Sequence, residues 1–361
     1  MITVFTLCSA NYLAHAKTLG DSLTEHNPGY QFVIGLVDRV PNGLESSFWR
    51  PYELIPVGDL NISSFEEMMQ KYEVVELNTA VKPFYMDYLY RRDSSVEHLI
   101  YLDPDILVCG SFEPLAQKLR SYNIIVTPHS CTFDDTPVNV TYEIAMMRTG
   151  IYNLGFIATS RTDTTFTFLR WWQNRLRNYC YYRVGPGMFV DQIWMTLAPL
   201  YFAGIYVEKN PGYNVCYWNH FERYLSQQNG RYVVNGEFDL IFYHFSSYDP
   251  MEPDVIAKRL GQRIASFKDR PDLRPIYDDY RRRLLTRDYA SARCFSCSLG
   301  RKPLTRSARL KRIVTTFARE FLNALPIGIQ KPVRRLARCR RYLGFGKPLG
   351  RPSEESVWLL R

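Results

Sequence analysis

The run Leu99-Ile100-Tyr101-Leu102-Asp103-Pro104-Asp105-Ile106-Leu107-Val108 governs how the rest of the 361-residue chain is read. Apolar residues lead in and out, as in a buried strand, yet two acids interrupt them. Unpaired carboxylates in apolar surroundings are costly. In extended backbone, residues two apart point to the same side, so Asp103 and Asp105 present their carboxylates together. Such a pair suits a hard divalent cation, Mg2+ or Mn2+. Pro104 has no N–H to give to a sheet ladder, which places the pair at a strand terminus or edge. Ligand sites of open α/β sheets lie off the carboxyl ends of strands, where this pair falls. The other reading is a surface turn, because a bare Asp-x-Asp is common; the apolar flanks count against it.

Outward from this run the pattern alternates. Residues 2–8 (ITVFTLC) and 32–37 (FVIGLV) read as buried strands. Between them an amphipathic stretch with Ala14, Leu19 and Leu23 stops near Asn27-Pro28-Gly29. Strand, helix, strand at this spacing is a βαβ unit. Residues 63–92 have helical spacing, 124–126 and 156–158 read as short strands, and 164–178 as an amphipathic helix. Residues 240–243 form a late strand running into His244, followed by helical patterns at 254–268 and 276–286. The expected fold class is α/β, with a mixed, mostly parallel sheet flanked by helices. No Gly-x-Gly-x-x-Gly follows the first strand, which disfavours a dinucleotide dehydrogenase.

Aromatic residues make up 15% of the chain, with 26 Tyr and 21 Phe; they fill a core or pack against sugar rings. The eight cysteines are scattered, as expected of reduced thiols in a cytoplasmic protein. Cys294 and Cys297 form a lone Cys-x-x-Cys. The N-terminal MITVFTLCSANYLAHAK does not read as a signal peptide, and no apolar run reaches the roughly 18–20 residues of a spanning helix.

The net charge of +9 is unevenly placed. Residues 287–351 hold 17 basic and 2 acidic residues, whereas 1–286 are mildly acidic. The expected division is therefore a catalytic domain over 1–286 and a basic, partly helical tail over 287–361. Within the tail, Leu310, Ile313, Val314, Phe317, Phe321 and Leu325 share a helical stripe, and basic residues continue to Arg341. This pattern resembles an interfacial helix with a polybasic segment, so residues 305–341 are expected at an anionic membrane surface. A helix packed on the catalytic domain and a nucleic-acid-binding tail are the alternatives; no nucleic-acid module accompanies the tail, and nucleic acid is not expected as a partner.

The YLDPDILV run resembles the Asp-x-Asp element of GT-A glycosyltransferases, especially the retaining enzymes of glycosyltransferase family 8. The likeness extends over roughly residues 1–250, with further elements in order: Leu77-Asn78-Thr79-Ala80-Val81-Lys82-Pro83-Phe84, Tyr152-Asn153-Leu154-Gly155-Phe156, Val190-Asp191-Gln192-Ile193 and Tyr243-His244-Phe245. The resemblance implies a GT-A, Rossmann-like fold and transfer of a hexose from a nucleotide sugar, by default a UDP-sugar. It implies a glycan, lipopolysaccharide or lipid-linked acceptor and retention of configuration, and the basic tail adds a peripheral location at the inner membrane face. It makes His244 the third ligand of a cation held by Asp103 and Asp105. It puts Lys82 on phosphate or a sugar hydroxyl, and Asn153 and Gly155 against the donor. It sets Asp191 and Gln192 beside the anomeric carbon, and Thr6, Cys8, Ser9, Asn11 and Asp38 around the nucleoside.

Blander roles stay open for each: a strand-closing histidine for His244, a snorkelling lysine for Lys82, a plain turn for Asn153, a helix N-cap for Asp191. The chain departs from the family after the histidine. His244-Phe245-Ser246-Ser247-Tyr248 stands where a glycine and a phosphate-binding Lys-Pro are usual. An inactive sugar-nucleotide or glycan-binding module, an inverting transferase and a metal-dependent phosphohydrolase are the rival functions.

Overall fold

A computed structural model describes residues 1–41, 43–133, 135–185, 187–258 and 266–301. Its strands are β1 (Ile2–Cys8), β2 (Gln31–Leu36), β3 (Glu53–Pro56), β4 (His98–Leu102), β5 (Ile106–Val108), β6 (Ile124–Pro128) and β7 (Tyr152–Ser160). Later come β8 (Tyr182–Arg183), β9 (Met188–Phe189), β10 (Ile205–Val207), β11 (Leu225–Gln228), β12 (Arg231–Val234), β13 (Phe238–Asp239) and β14 (Phe242–His244). The helices are α1 (Leu13–His26), α2 (Phe65–Lys71), α3 (Val74–Ala80), α4 (Lys82–Arg92), α5 (Glu113–Leu119) and α6 (Pro137–Thr149). They continue with α7 (Asp163–Leu176), α8 (Gln192–Met195), α9 (Ala198–Tyr201), α10 (Arg274–Leu285) and α11 (Tyr289–Ala292).

A seven-stranded sheet in the order β10-β6-β7-β4-β1-β2-β3 organises the molecule. All its neighbours are parallel except β7, which runs antiparallel to both β4 and β6. The mixed, mostly parallel α/β architecture read from the sequence is the one observed. Alternate residues of β1 serve opposite faces. Phe5 and Leu7 pack with Tyr85 and Leu89 of α4 and Trp172 of α7, while Val4 packs with Leu19 and Leu23 of α1 and Leu115 of α5. A third cluster joins Tyr243 and Phe245 to Tyr277 and Tyr280 of α10, with the Phe245 and Tyr280 rings stacked 3.8 Å apart. Most of the aromatic excess is therefore core.

Two pairings position the site. Because β7 is antiparallel, its beginning lies beside the carboxyl end of β4: Leu102 faces Phe156, and the Asp103 N–H donates to the Gly155 carbonyl at 2.8 Å. Just beyond Asp105, β5 pairs antiparallel with β14, with Ile106 opposite His244. A residue far along the chain is thus delivered to the carboxylate pair by backbone hydrogen bonds.

The helical region 63–92 is three helices. Glu73 and Glu76 form a capping box that starts α3, and Pro83 sits in the first turn of α4, where its missing N–H costs nothing. The helix expected over 254–268 is not formed at 254–258. There the chain makes turns, Val255 N–H to Glu252 O at 3.0 Å and Lys258 N–H to Ser247 O at 3.0 Å; residues 259–265 lie outside the described residues.

The compact unit runs from Met1 to Lys302 and takes in residues 287–301, which the sequence reading assigned to the tail. Leu299 is buried in the core, and Arg301 pairs with Glu73 at 3.2 Å. The basic run 305–341 lies outside the described residues. The cysteines among the described residues, Cys8 through Cys297, are free thiols. No described helix is long and apolar enough to cross a membrane.

Candidate active site

Asp103, Asp105 and His244 meet at the carboxyl edge of the sheet, each offering one ligand atom within 4.8 Å of the others. His244 Nε2 stands 3.2 Å from Asp105 Oδ1 and 3.8 Å from Asp103 Oδ2. Two carboxylates and an imidazole form a donor set that fits a divalent ion of the Mn2+ or Mg2+ kind. Burial alone would lower the His244 pKa, but Asp105 and then Asp103 reverse that and hold it raised. Burial pushes Asp103 up despite Lys82 and His244. It would raise Asp105 too, but His244 keeps that carboxyl below its ordinary value. The cluster thus gathers two carboxylates and a buried imidazole that takes a proton more readily than a free histidine does.

Several side chains that the sequence did not reveal hold these ligands in place. Asn214 is fully buried, with φ of +57°, and its Oδ1 accepts from His244 Nδ1 at 3.2 Å. That contact fixes the tautomer that leaves Nε2 facing the carboxylates. Asn214 Nδ2 in turn donates to Thr127 Oγ1 at 2.9 Å and Asn153 Oδ1 at 3.0 Å. Asn153 Oδ1 also takes the Gly155 N–H, and its Nδ2 reaches His129 Nε2 at 3.4 Å. The Trp218 indole meets the His244 ring edge-on, 5.2 Å between centroids. Tyr101 donates its hydroxyl to Asp103 Oδ1 at 2.6 Å. At Gly155, a Cβ would come within 2.5 Å of His244 Cε1 and 2.9 Å of Asp103 Oδ2, so only glycine leaves room for the cluster.

A cleft of about 610 Å³ opens over these groups. Lys82, Asp103, Asp105, Asn153, Gly155, Asp191, Gln192 and His244 all line it. Lys82 is buried, not snorkelling: its Nζ donates to Asp191 Oδ2 at 2.5 Å and to the Leu154 carbonyl at 2.7 Å, 4.2 Å from the Tyr101 ring centre. Asp191 precedes α8 without a side-chain cap, because its carboxylate is committed to Lys82. The preceding Val190 has φ of +42°, a strained conformation for a β-branched residue, of the kind that clusters at functional sites. Gln192 Nε2 donates to the Thr149 carbonyl at 2.8 Å.

The residues expected around a nucleoside divide. Cys8, Ser9 and Asn11 line an adjoining cavity of about 300 Å³ that shares Asp103 and Asp105 with the main cleft. Thr6 is buried in β1 with its hydroxyl unpartnered and lines neither cavity. Asp38 lines neither as well. Its carboxylate accepts from the backbone N–H groups of Arg39 and Ser298, both at 2.9 Å, from the Ser298 hydroxyl, and from the Ala10 N–H at 3.3 Å. Cys297 of the lone Cys-x-x-Cys donates to Asn11 Oδ1 at 3.2 Å and lines the smaller cavity, while Cys294 is exposed.

No protein-family model matches the chain. Two proteins of Bacillus subtilis (strain 168) are similar in sequence: uncharacterized protein YfnF is 25% identical over 250 residues, 67% of this chain and 80% of YfnF. Uncharacterized protein YfnD is 21% identical over 246 residues, 67% of this chain and 76% of YfnD. Among solved structures, the galactosyltransferase LgtC in complex with donor and acceptor sugar analogs is similar at 14% identity, with a TM-score of 0.46. That likeness covers 86% of this chain and all (100%) of LgtC. The glycosyltransferase GlyE of Streptococcus pneumoniae TIGR4 is similar at 12% identity and a TM-score of 0.45, over 84% of this chain and 65% of GlyE.

Proposed function

We propose that the chain is a metal-dependent glycosyltransferase of the GT-A kind, akin to family 8, moving a hexose from a nucleotide sugar to a glycan, lipopolysaccharide or lipid-linked acceptor. The observation that carries this reading is the convergence of Asp103, Asp105 and His244 in a cleft at the carboxyl edge of the sheet. These three residues would hold Mn2+ or Mg2+, and the bound ion supplies charge neutralisation to a departing nucleoside diphosphate. The smaller cavity beside Cys8, Ser9 and Asn11 suits the nucleoside, a uridine by resemblance. The main cleft suits the sugar.

On the cleft wall, Gln192 is anchored through Nε2, so its carbonyl oxygen is the end available to an electron-poor anomeric carbon. Asp191 is neutralised by Lys82, and that commitment makes it an orienting group rather than a free nucleophile. With no other carboxylate among the described lining residues beyond the metal pair, retention through an oxocarbenium-like state is the reading that asks least of the side chains present. Lys82 reaches donor hydroxyls only by sharing its ammonium with Asp191. The basic run 305–341 would hold the enzyme at an anionic membrane face, where lipid-linked acceptors are found.

The test is a donor-hydrolysis screen across UDP-, GDP-, ADP- and dTDP-sugars with Mn2+. One donor class should be cleaved, and chelation should stop the cleavage. Cleavage of none by folded protein would favour a binding module.

A further inference from the structure

Helix α6 is apolar on two opposite faces. It starts at Thr136, whose side chain accepts from Asn139 N–H, and it stops at Gly150, whose φ is +106°. Tyr142, Ala145, Met146 and Thr149 line the main cleft. The opposite face carries Val140, Ile144 and Met147 at i, i+4 and i+7, and these are 43%, 41% and 68% exposed. Exposed Ile151 follows directly. Side chains at this spacing form one stripe, bordered by Glu143 and Arg148, and exposed apolar side chains gathered on one face with a polar rim mark a contact surface.

We infer that this stripe is a membrane contact, docking α6 on an anionic bilayer next to the mouth of the cleft. Two observations choose that occupant. Three or four side chains cover far less than the roughly 800 Å² per partner of a stable dimer. The same chain carries 17 basic residues over 287–351. Apolar insertion or polybasic attraction alone attaches a peripheral protein weakly and reversibly, and the two together hold it firmly. The basic run supplies the second, and the stripe supplies the first. If the proposed function holds, one helix then touches both the leaflet and the sugar site, which selects acceptors whose reactive end lies close to the membrane. The membrane contact rests on the basic run invoked there and not on the sugar-transfer chemistry of that reading.

The experiment is flotation of the full chain with vesicles of phosphatidylglycerol and phosphatidylcholine, at about 0.15 M and about 1 M ionic strength. The higher salt screens the basic run but not apolar insertion. The variants are Ile144→Glu/Met147→Glu, the single Met147→Gln, and Ile144→Leu/Met147→Leu. At high salt the parent and the leucine variant should keep a bound fraction. The glutamate variant should lose affinity by at least about tenfold, and Met147→Gln should fall between. A melting transition at the parent temperature shows that the fold is intact in each variant. Equal flotation of parent and glutamate variant would overturn the inference. So would failure of the parent to float, or a parent dimer in light scattering that the glutamate variant breaks apart.

Discussion

Asn214 Oδ1 accepts the hydrogen bond of His244 Nδ1 at 3.2 Å, and that contact turns Nε2 of the ring toward Asp103 and Asp105. The buried amide is tied at its other end to Thr127 and Asn153, so the imidazole is oriented by a fixed group. Removing such an outer contact typically weakens metal binding about 10- to 100-fold. Asn214→Ala should lower Mn2+ affinity by that factor in a calorimetric titration while the far-ultraviolet circular dichroism stays that of the parent. Parent affinity would mean that the ring is oriented by β14 alone.

Gly155 packs against the cluster of Asp103, Asp105 and His244. Gly155→Ala would place a methyl 2.5 Å from His244 Cε1, inside van der Waals contact, and 2.9 Å from Asp103 Oδ2. Neither neighbour has room to retreat, since His244 is held by Asn214 and Asp103 by Tyr101. Overpacking of this kind costs about 1–3 kcal/mol. The variant should lose Mn2+ binding altogether and melt at a lower temperature than the parent.

The Lys82–Asp191 pair is buried on both sides, at 1% and 3% side-chain exposure. Breaking one partner strands the other charge, a loss of about 3–5 kcal/mol, whereas replacing both by apolar groups is often neutral. Urea unfolding of Lys82→Met, Asp191→Leu and the double variant should therefore show two strongly destabilised singles and a double near the parent. Donor hydrolysis should be lost in all three. Additive destabilisation in the double would show that the charges do not act as a pair.

Three buried histidines set an acid limit to stability. Burial pushes His15 and His129 down to about 4, and burial with the nearby Arg270 pushes His220 down to about 3, from an ordinary 6.5. Above pH 6.5 the folded and unfolded chains bind the same protons at these rings. Below it the unfolded chain takes up protons that the folded chain refuses, so stability falls with pH until about 4 for His15 and His129. Each ring contributes a slope of ~1.4 kcal/mol per pH unit in that window. The urea midpoint should drop steadily from pH 6.5 to pH 4.5. A flat profile over that range would place the rings in contact with water.

The carboxylate pair, the alternating strands around it and the helices flanking the sheet were legible because each leaves a periodic trace. His244 was legible through the strand before it and the family likeness, and the antiparallel β5–β14 ladder is what carries it to Asp105. Asn214, His129 and Trp218 were not legible. Asn214 lies in a loop between β10 and β11, Trp218 in the single 3-10 turn Tyr217–Asn219 that follows it, and His129 directly after β6, so their roles arise from tertiary contacts rather than from any spacing. Asp191 was read with a helix cap as its alternative, since the partner that claims it, Lys82, is more than a hundred residues away. The boundary at 286 followed the charge step, yet Leu299 and Ser298 pack by shape and by one hydrogen-bonded carboxylate, neither of which alters the local charge.

The most direct test of the central claim is nucleotide-sugar cleavage by the parent and by Asp105→Ala, each with Mn2+ and with excess chelator. The parent should release nucleoside diphosphate only with Mn2+, and Asp105→Ala should release none above background in either condition. Cleavage that survives chelation in the parent, or that persists at the parent rate in Asp105→Ala, would contradict a metal centre built on Asp103, Asp105 and His244.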